Sequence, residues 1–91
     1  MKKSSVPDHV FVQALGQICT RYRSESGLSQ QAFALKIGVD TSNYQCIEAG
    51  QNFKGEMTNP QTKTLLAIAR GFDITIADLM AEAWERAHSL V

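Results

Sequence analysis

The sequence predicts an all-α fold, a compact bundle of five helices, and three observations carry that prediction. Apolar residues recur at three-to-four spacing in five separate segments, capping residues and glycines punctuate the segments, and no run shows the two-residue period of a strand. With 91 residues, 44% of them hydrophobic, the chain has the size of one domain with a modest core.

In the first segment Val10, Phe11, Ala14, Leu15, Ile18 and Tyr22 form one helical stripe, which Ser26 and Gly27 end. Ser29 then caps a short helix carrying Ala32, Phe33, Ala34 and Ile37, and Gly38 supplies the left-handed residue that closes it. Asp40 caps a third helix, equally short, with Tyr44 and Ile47 inward and Gly50 at its end. Gln51 to Asn59 lacks periodicity and contains Asn52, Gly55 and Asn59, which predicts a loop. Asn59 and Pro60 are expected to start the fourth helix, whose buried face is Leu65, Leu66, Ile68, Ala69 and Phe72. Thr75-Ile76-Ala77-Asp78 opens the fifth, with Ile76, Leu79, Met80, Ala83, Trp84 and Ala87 on its stripe and its end near Ser89. Residues 1–7 are expected to be a flexible tail ahead of a single domain over residues 8–91.

Composition narrows the function. The only cysteines in the sequence are Cys19 and Cys46, and no charged-then-apolar leader pattern with a small-residue cleavage site is read in it, so neither a disulfide scaffold nor a secreted protein is expected and a reducing cytoplasm fits. Apolar runs are broken by charge or glycine well short of the ~20 residues a membrane span needs, so no membrane partner is expected. His9 and His88 sit at opposite ends of the chain and the cysteines lack Cys-x-x-Cys spacing, which leaves no metal site. No nucleophile elbow, phosphate-binding glycine loop or paired-carboxylate motif is present, so neither catalysis nor a cofactor is expected. A third role, as a ligand sensor, has little room once five helices have buried their faces.

Nine basic residues balance nine acidic ones, yet residues 2–63 hold seven basic and five acidic side chains, while residues 64–91 hold two and four. A nucleic-acid-facing surface therefore belongs to the first two thirds. There, two short helices meet at the Gly38-Val39-Asp40 turn, the construction that holds a second helix stiffly across the first and lets it enter a major groove. Thr41, Ser42 and Gln45 on that second helix are either ordinary solvated positions or readers of base edges, for which hydroxyls and carboxamides are suited. Cys46 on the same helix is a candidate redox-sensitive thiol, whereas Cys19 falls beside the first helix's apolar stripe. Leu35 is expected on the outer side of the second helix, either simply exposed or in contact with a protein.

Leu28-Ser29-Gln30, Phe33-Ala34, Ile37-Gly38-Val39, Tyr44, Ile47-Glu48 and Gly50, taken in order, resemble the Cro and lambda-repressor-like helix-turn-helix family. The likeness extends back through Leu15-Gly16, Ile18 and Arg23 and forward through Pro60, Leu65, Ile68-Ala69 and Leu79, covering roughly residues 11–80. It implies a bacterial or phage regulator of transcription that binds double-stranded DNA as a homodimer. Gln30 matches a phosphate-contacting position, Thr41, Ser42, Gln45 and Cys46 match positions that approach bases, and Asn43 lies beside them near the backbone. Arg23 and Glu48 match a structural ion pair. The sequence departs from the family in a longer loop after Gly50 and a recognition helix without Arg or Lys, so Lys54 in the loop and Lys36 are the nearby cations for phosphates. The stripe through Leu79, Met80, Ala83 and Trp84 is the expected dimer contact. Neutral charge, the long loop and that stripe also suit an alternative role, an adaptor or antitoxin-like component that binds another protein.

Overall fold

A computed structural model describes residues 6–91, so residues 1–5 of the expected tail lie outside the described residues. Five helices follow one another: α1 (Asp8–Ser26), α2 (Gln30–Ile37), α3 (Thr41–Ala49), α4 (Thr62–Gly71) and α5 (Ile76–Ser89). The capping residues explain most of these limits. Ser29, Asp40 and Thr75 accept hydrogen bonds from the amides of Ala32, Asn43 and Asp78, and Gly27, Gly38 and Gly50 end the first three helices in the left-handed region.

One cluster of buried side chains joins all five helices: Leu15, Ile18 and Cys19 of α1 meet Phe33 and Ala34 of α2, Tyr44 and Ile47 of α3, Ile68 and Ala69 of α4, and Leu79 and Ala83 of α5. At its centre the Phe33 ring stacks on Phe72, with centroids 4.4 Å apart and planes 8° apart, and tilts against Tyr44 at 5.1 Å. Tyr22 extends the stack from the far side of Phe72 at 5.1 Å. Such pairs contribute about 0.5–1.5 kcal/mol each beyond the area they bury, and this stack ties α1, α2, α3 and the end of α4 together.

The fourth helix departs from expectation at its start. It starts at Thr62 with Gln61 as its N-cap, rather than at Asn59 and Pro60, because Thr58 N–H still bonds back to Gly50 C=O and Met57 bridges Gln51, which keeps the chain extended up to the proline. It continues through Gly71, and Asp73 takes the left-handed conformation at φ 58° that closes the turn. Gly71 has a packing role instead: a Cβ there would lie 2.5 Å from Ile37 Cγ2 and 2.9 Å from the Phe33 ring. Leu66, expected inward, is 37% exposed. The stripe Leu65, Ile68, Ala69, Phe72 already fills the contact, and Leu66 lies one residue round the helix from it.

Candidate nucleic-acid interface

The turn between α2 and α3 is fixed by its backbone. Gly38 sits at φ 74°, the Val39 amide bonds to Ala34 C=O at 3.0 Å, and Asp40 begins the next helix. Val39 packs on the core from inside the turn, so the angle between the two helices is locked by an apolar anchor as well as by hydrogen bonds.

A polar knot behind α3 completes the brace. Arg23 Nε donates to Glu48 Oε2 at 2.6 Å and its Nη2 to Oε1 at 3.1 Å, while Nη1 donates to Leu28 C=O at 2.9 Å. Gln30 Nε2 and Thr20 Oγ1 donate to the same Glu48 Oε1 at 2.9 and 3.1 Å. The Arg23 and Glu48 side chains are only 16% and 4% exposed. Burial alone raises the Glu48 pKa, but the Arg23 guanidinium, followed by the Tyr44 hydroxyl and the Gln30 amide beside it, outweighs burial and holds the carboxyl below its usual range. Packing is close enough here to require Gly16, where a Cβ would lie 2.4 Å from Glu48 C=O and 2.6 Å from Ile47 C=O. One carboxylate therefore ties α1, α2 and α3 into a rigid unit.

Tyr44 and Ile47 are buried and Glu48 is held in the knot, which leaves Ser42, Asn43, Gln45 and Ala49 exposed on the opposite side of α3. Thr41 is half-buried beside them. Cys46 is also half-buried and lines a hollow with Asn43, Asn52, Asn59, Gln61 and Thr64. Gln30 spends one of its two amide N–H groups on Glu48 and retains the other. Lys36 donates to Gly71 C=O at 3.0 Å, at the C-terminal end of α4, so this cation is already engaged. A cation that sequence reasoning missed is Lys63, which lines a second hollow with Asp40, Asn43 and Arg70. Its signal was the start of α4: with the N-cap at Gln61, Lys63 falls in the first turn of a helix that has no side-chain cap.

The segment after α3 is a small built hairpin. Asn52 Oδ1 accepts from the Lys54 and Glu56 amides at 2.9 and 3.0 Å, its own amide bonds to Glu56 C=O at 2.8 Å, and Gly55 turns the chain at φ 81°. Lys54 is exposed at the tip, next to Phe53, which is 82% exposed. The segment returning from that tip meets α1 and α5 at an apolar groove of about 670 Å³, walled by Phe11, Val12, Met57, Ala77, Met80 and Trp84. Leu79 and Ala83, expected at a dimer contact with Met80 and Trp84, are fully buried in the chain's own core. Only Met80 and Trp84 of those four face the groove.

The remaining reactive groups have structural places. Cys19 is buried, and desolvation, followed by the charge of Glu48, pushes its thiol up to about 12. Glu82 bonds to the hydroxyl of Tyr22 and the guanidinium of Arg21. Among the described residues no group of His, Cys, Asp and Glu could hold a metal ion, and no helix is long and apolar enough to cross a membrane.

A short helix followed across a glycine turn by a second, which a buried ion pair braces from behind and whose outer face is polar and exposed, defines a helix-turn-helix DNA-binding module. A family model described as helix-turn-helix matches residues 21–79, and the chain belongs to that family, of the Cro and lambda-repressor-like kind. No curated protein and no solved structure matches the chain.

Proposed function

We propose that the chain is a cytoplasmic, sequence-specific transcriptional regulator whose residues 8–91 act as one domain and bind double-stranded DNA as a homodimer. The observation that carries this reading is the outer face of α3, where Ser42, Asn43 and Gln45 are exposed together on a helix pinned from behind by Tyr44, Ile47 and Glu48. Carboxamides present a donor and an acceptor side by side, which matches the edge of adenine in the major groove, and hydroxyls pair with either kind of group. Thr41 and Cys46 flank this face. Because α3 carries no cation, phosphate contacts fall to the second amide N–H of Gln30, to Lys63, and to the uncapped first turn of α4.

Two half-sites one DNA turn apart require a two-fold protein. Met80 and Trp84 line the groove on α5 and are the dimer-forming candidates, supported from below by Leu79 and Ala83. No catalytic step and no cofactor enters this reading. The groove, together with zero net charge, also favours a second role in which the same fold binds another protein as an adaptor or antitoxin-like component.

Selection from a pool of random duplexes, run beside a pull-down from lysate, separates the two readings. A common enriched sequence is expected. A protein recovered in stoichiometric amount, with no duplex enriched, would overturn the proposal in favour of the adaptor.

A further inference from the structure

The hairpin tip and the apolar groove are complementary features on one molecule. Phe53 is 82% exposed, and Lys54 follows it. The Asn52 hydrogen bonds and the Gln51–Met57 bridge hold that ring outward, so it does not fill the groove of its own molecule. The groove presents Phe11, Met80 and Trp84 as apolar walls, with Asp8 as the only acidic residue among the described residues that line it. An aromatic ring followed by an ammonium group on one surface thus matches an apolar cleft edged by a carboxylate on the other.

We infer that Phe53 inserts into the groove of a second copy of this chain, with Lys54 pairing to the partner's Asp8, and that the partner's hairpin does the same in return. The inference rests on the homodimer reading above and names its contact. Met57 belongs both to the hairpin and to the groove wall, so knob and cleft are neighbours on one continuous surface. A self-complementary patch of that kind closes under a two-fold axis, which makes each contact twice and leaves neither ring exposed. This assigns Lys54 to the dimer rather than to a DNA phosphate, and it gives the lengthened loop after α3 a purpose that the helix-turn-helix itself does not require. Aromatic residues seated in a partner's pocket are the usual energetic centre of an interface.

The test uses sedimentation equilibrium of the full chain as wild type, Phe53→Asp and Ala81→Arg, with circular dichroism checking that each is folded. Ala81 is exposed and lines the groove, so arginine there obstructs the cleft without entering the core. Each variant alone is expected to weaken the dimer roughly tenfold or more. An equimolar mixture is expected to associate more tightly than either variant alone, because the intact Phe53 of one meets the open groove of the other. Phe53→Asp that dimerises like wild type overturns this inference and leaves the homodimer standing, as does loss of DNA affinity by that variant with its dimer intact. A wild type that stays monomeric at every concentration overturns both.

Discussion

Arg23→Ala removes the cation from a carboxylate that has little access to water. The Glu48 side chain is 4% exposed and loses its two charged hydrogen bonds, keeping the neutral ones from Gln30 and Thr20. Breaking a buried pair in this way costs about 3–5 kcal/mol, against ~0–1 for an exposed pair. Arg23 is itself 16% exposed, so water partly replaces it and the lower end, about 3 kcal/mol, is expected. In a domain of this size each kcal/mol shifts Tm by roughly 4–8 °C, so the loss is roughly 12–24 °C. The pH dependence gives a second reading. Glu48 has a depressed pKa in the folded state, so its contribution is present above the unfolded carboxyl value and is lost as pH falls through the folded one. Without Arg23 the same carboxyl is disfavoured as an anion, and protonation relieves the variant. The gap between wild type and Arg23→Ala should therefore be widest near neutral pH and narrow in acid. Urea melts followed by circular dichroism at several pH values measure both quantities. A loss below 1 kcal/mol, or a gap that widens on acidification, would refute a buried, stabilising knot.

Gly16→Ala should destabilise by about 1–3 kcal/mol in the same melts, because the new methyl meets the backbone carbonyls of Ile47 and Glu48, which cannot rotate away; equal or greater stability would contradict the packing. An aromatic disulfide reagent should titrate Cys46 promptly and reach Cys19 only on unfolding, since Cys19 is buried with its thiol pushed up to about 12, and equal rates for the two thiols would be incompatible with that burial. With so few cations near α3, log affinity for DNA should fall against log salt with a slope of only about two to five for a dimer, and Lys63→Ala should lower it by about two, one phosphate per protomer. A slope near ten would require cations elsewhere on the surface.

Four of the five helices were legible because their ends are written in local chemistry. Ser29, Asp40 and Thr75 each place an oxygen where an unpaired amide needs it, and Gly27, Gly38 and Gly50 take a backbone conformation other residues resist. The start of α4 was not legible, because Asn59-Pro60 is a good helix opening in isolation, whereas the pairing of the preceding residues, Thr58 with Gly50 and Met57 with Gln51, is not written in the local sequence. Lys63 was missed for the same reason. Periodicity found the whole stripe of α5, but it cannot tell the part covered by α1, Leu79 and Ala83, from the part that faces the groove, Met80 and Trp84. The groove itself draws on α1, the hairpin and α5, which are distant in sequence. The exposed set Ser42, Asn43 and Gln45 was legible because Tyr44 and Ile47 fix which way α3 faces, whereas Cys46 turns toward the hollow under the hairpin.

The claim that α3 is the DNA-reading element is tested most directly by mapping amide chemical shifts in a titration with the duplex recovered by selection. The largest changes should fall on Gln30, on Thr41 to Cys46, and on the first turn of α4 around Lys63, and Gln45→Ala should reduce the preference for the selected sequence over a scrambled one. Changes confined to the groove between α1 and α5, with Ser42, Asn43 and Gln45 unmoved at saturating duplex, would contradict it.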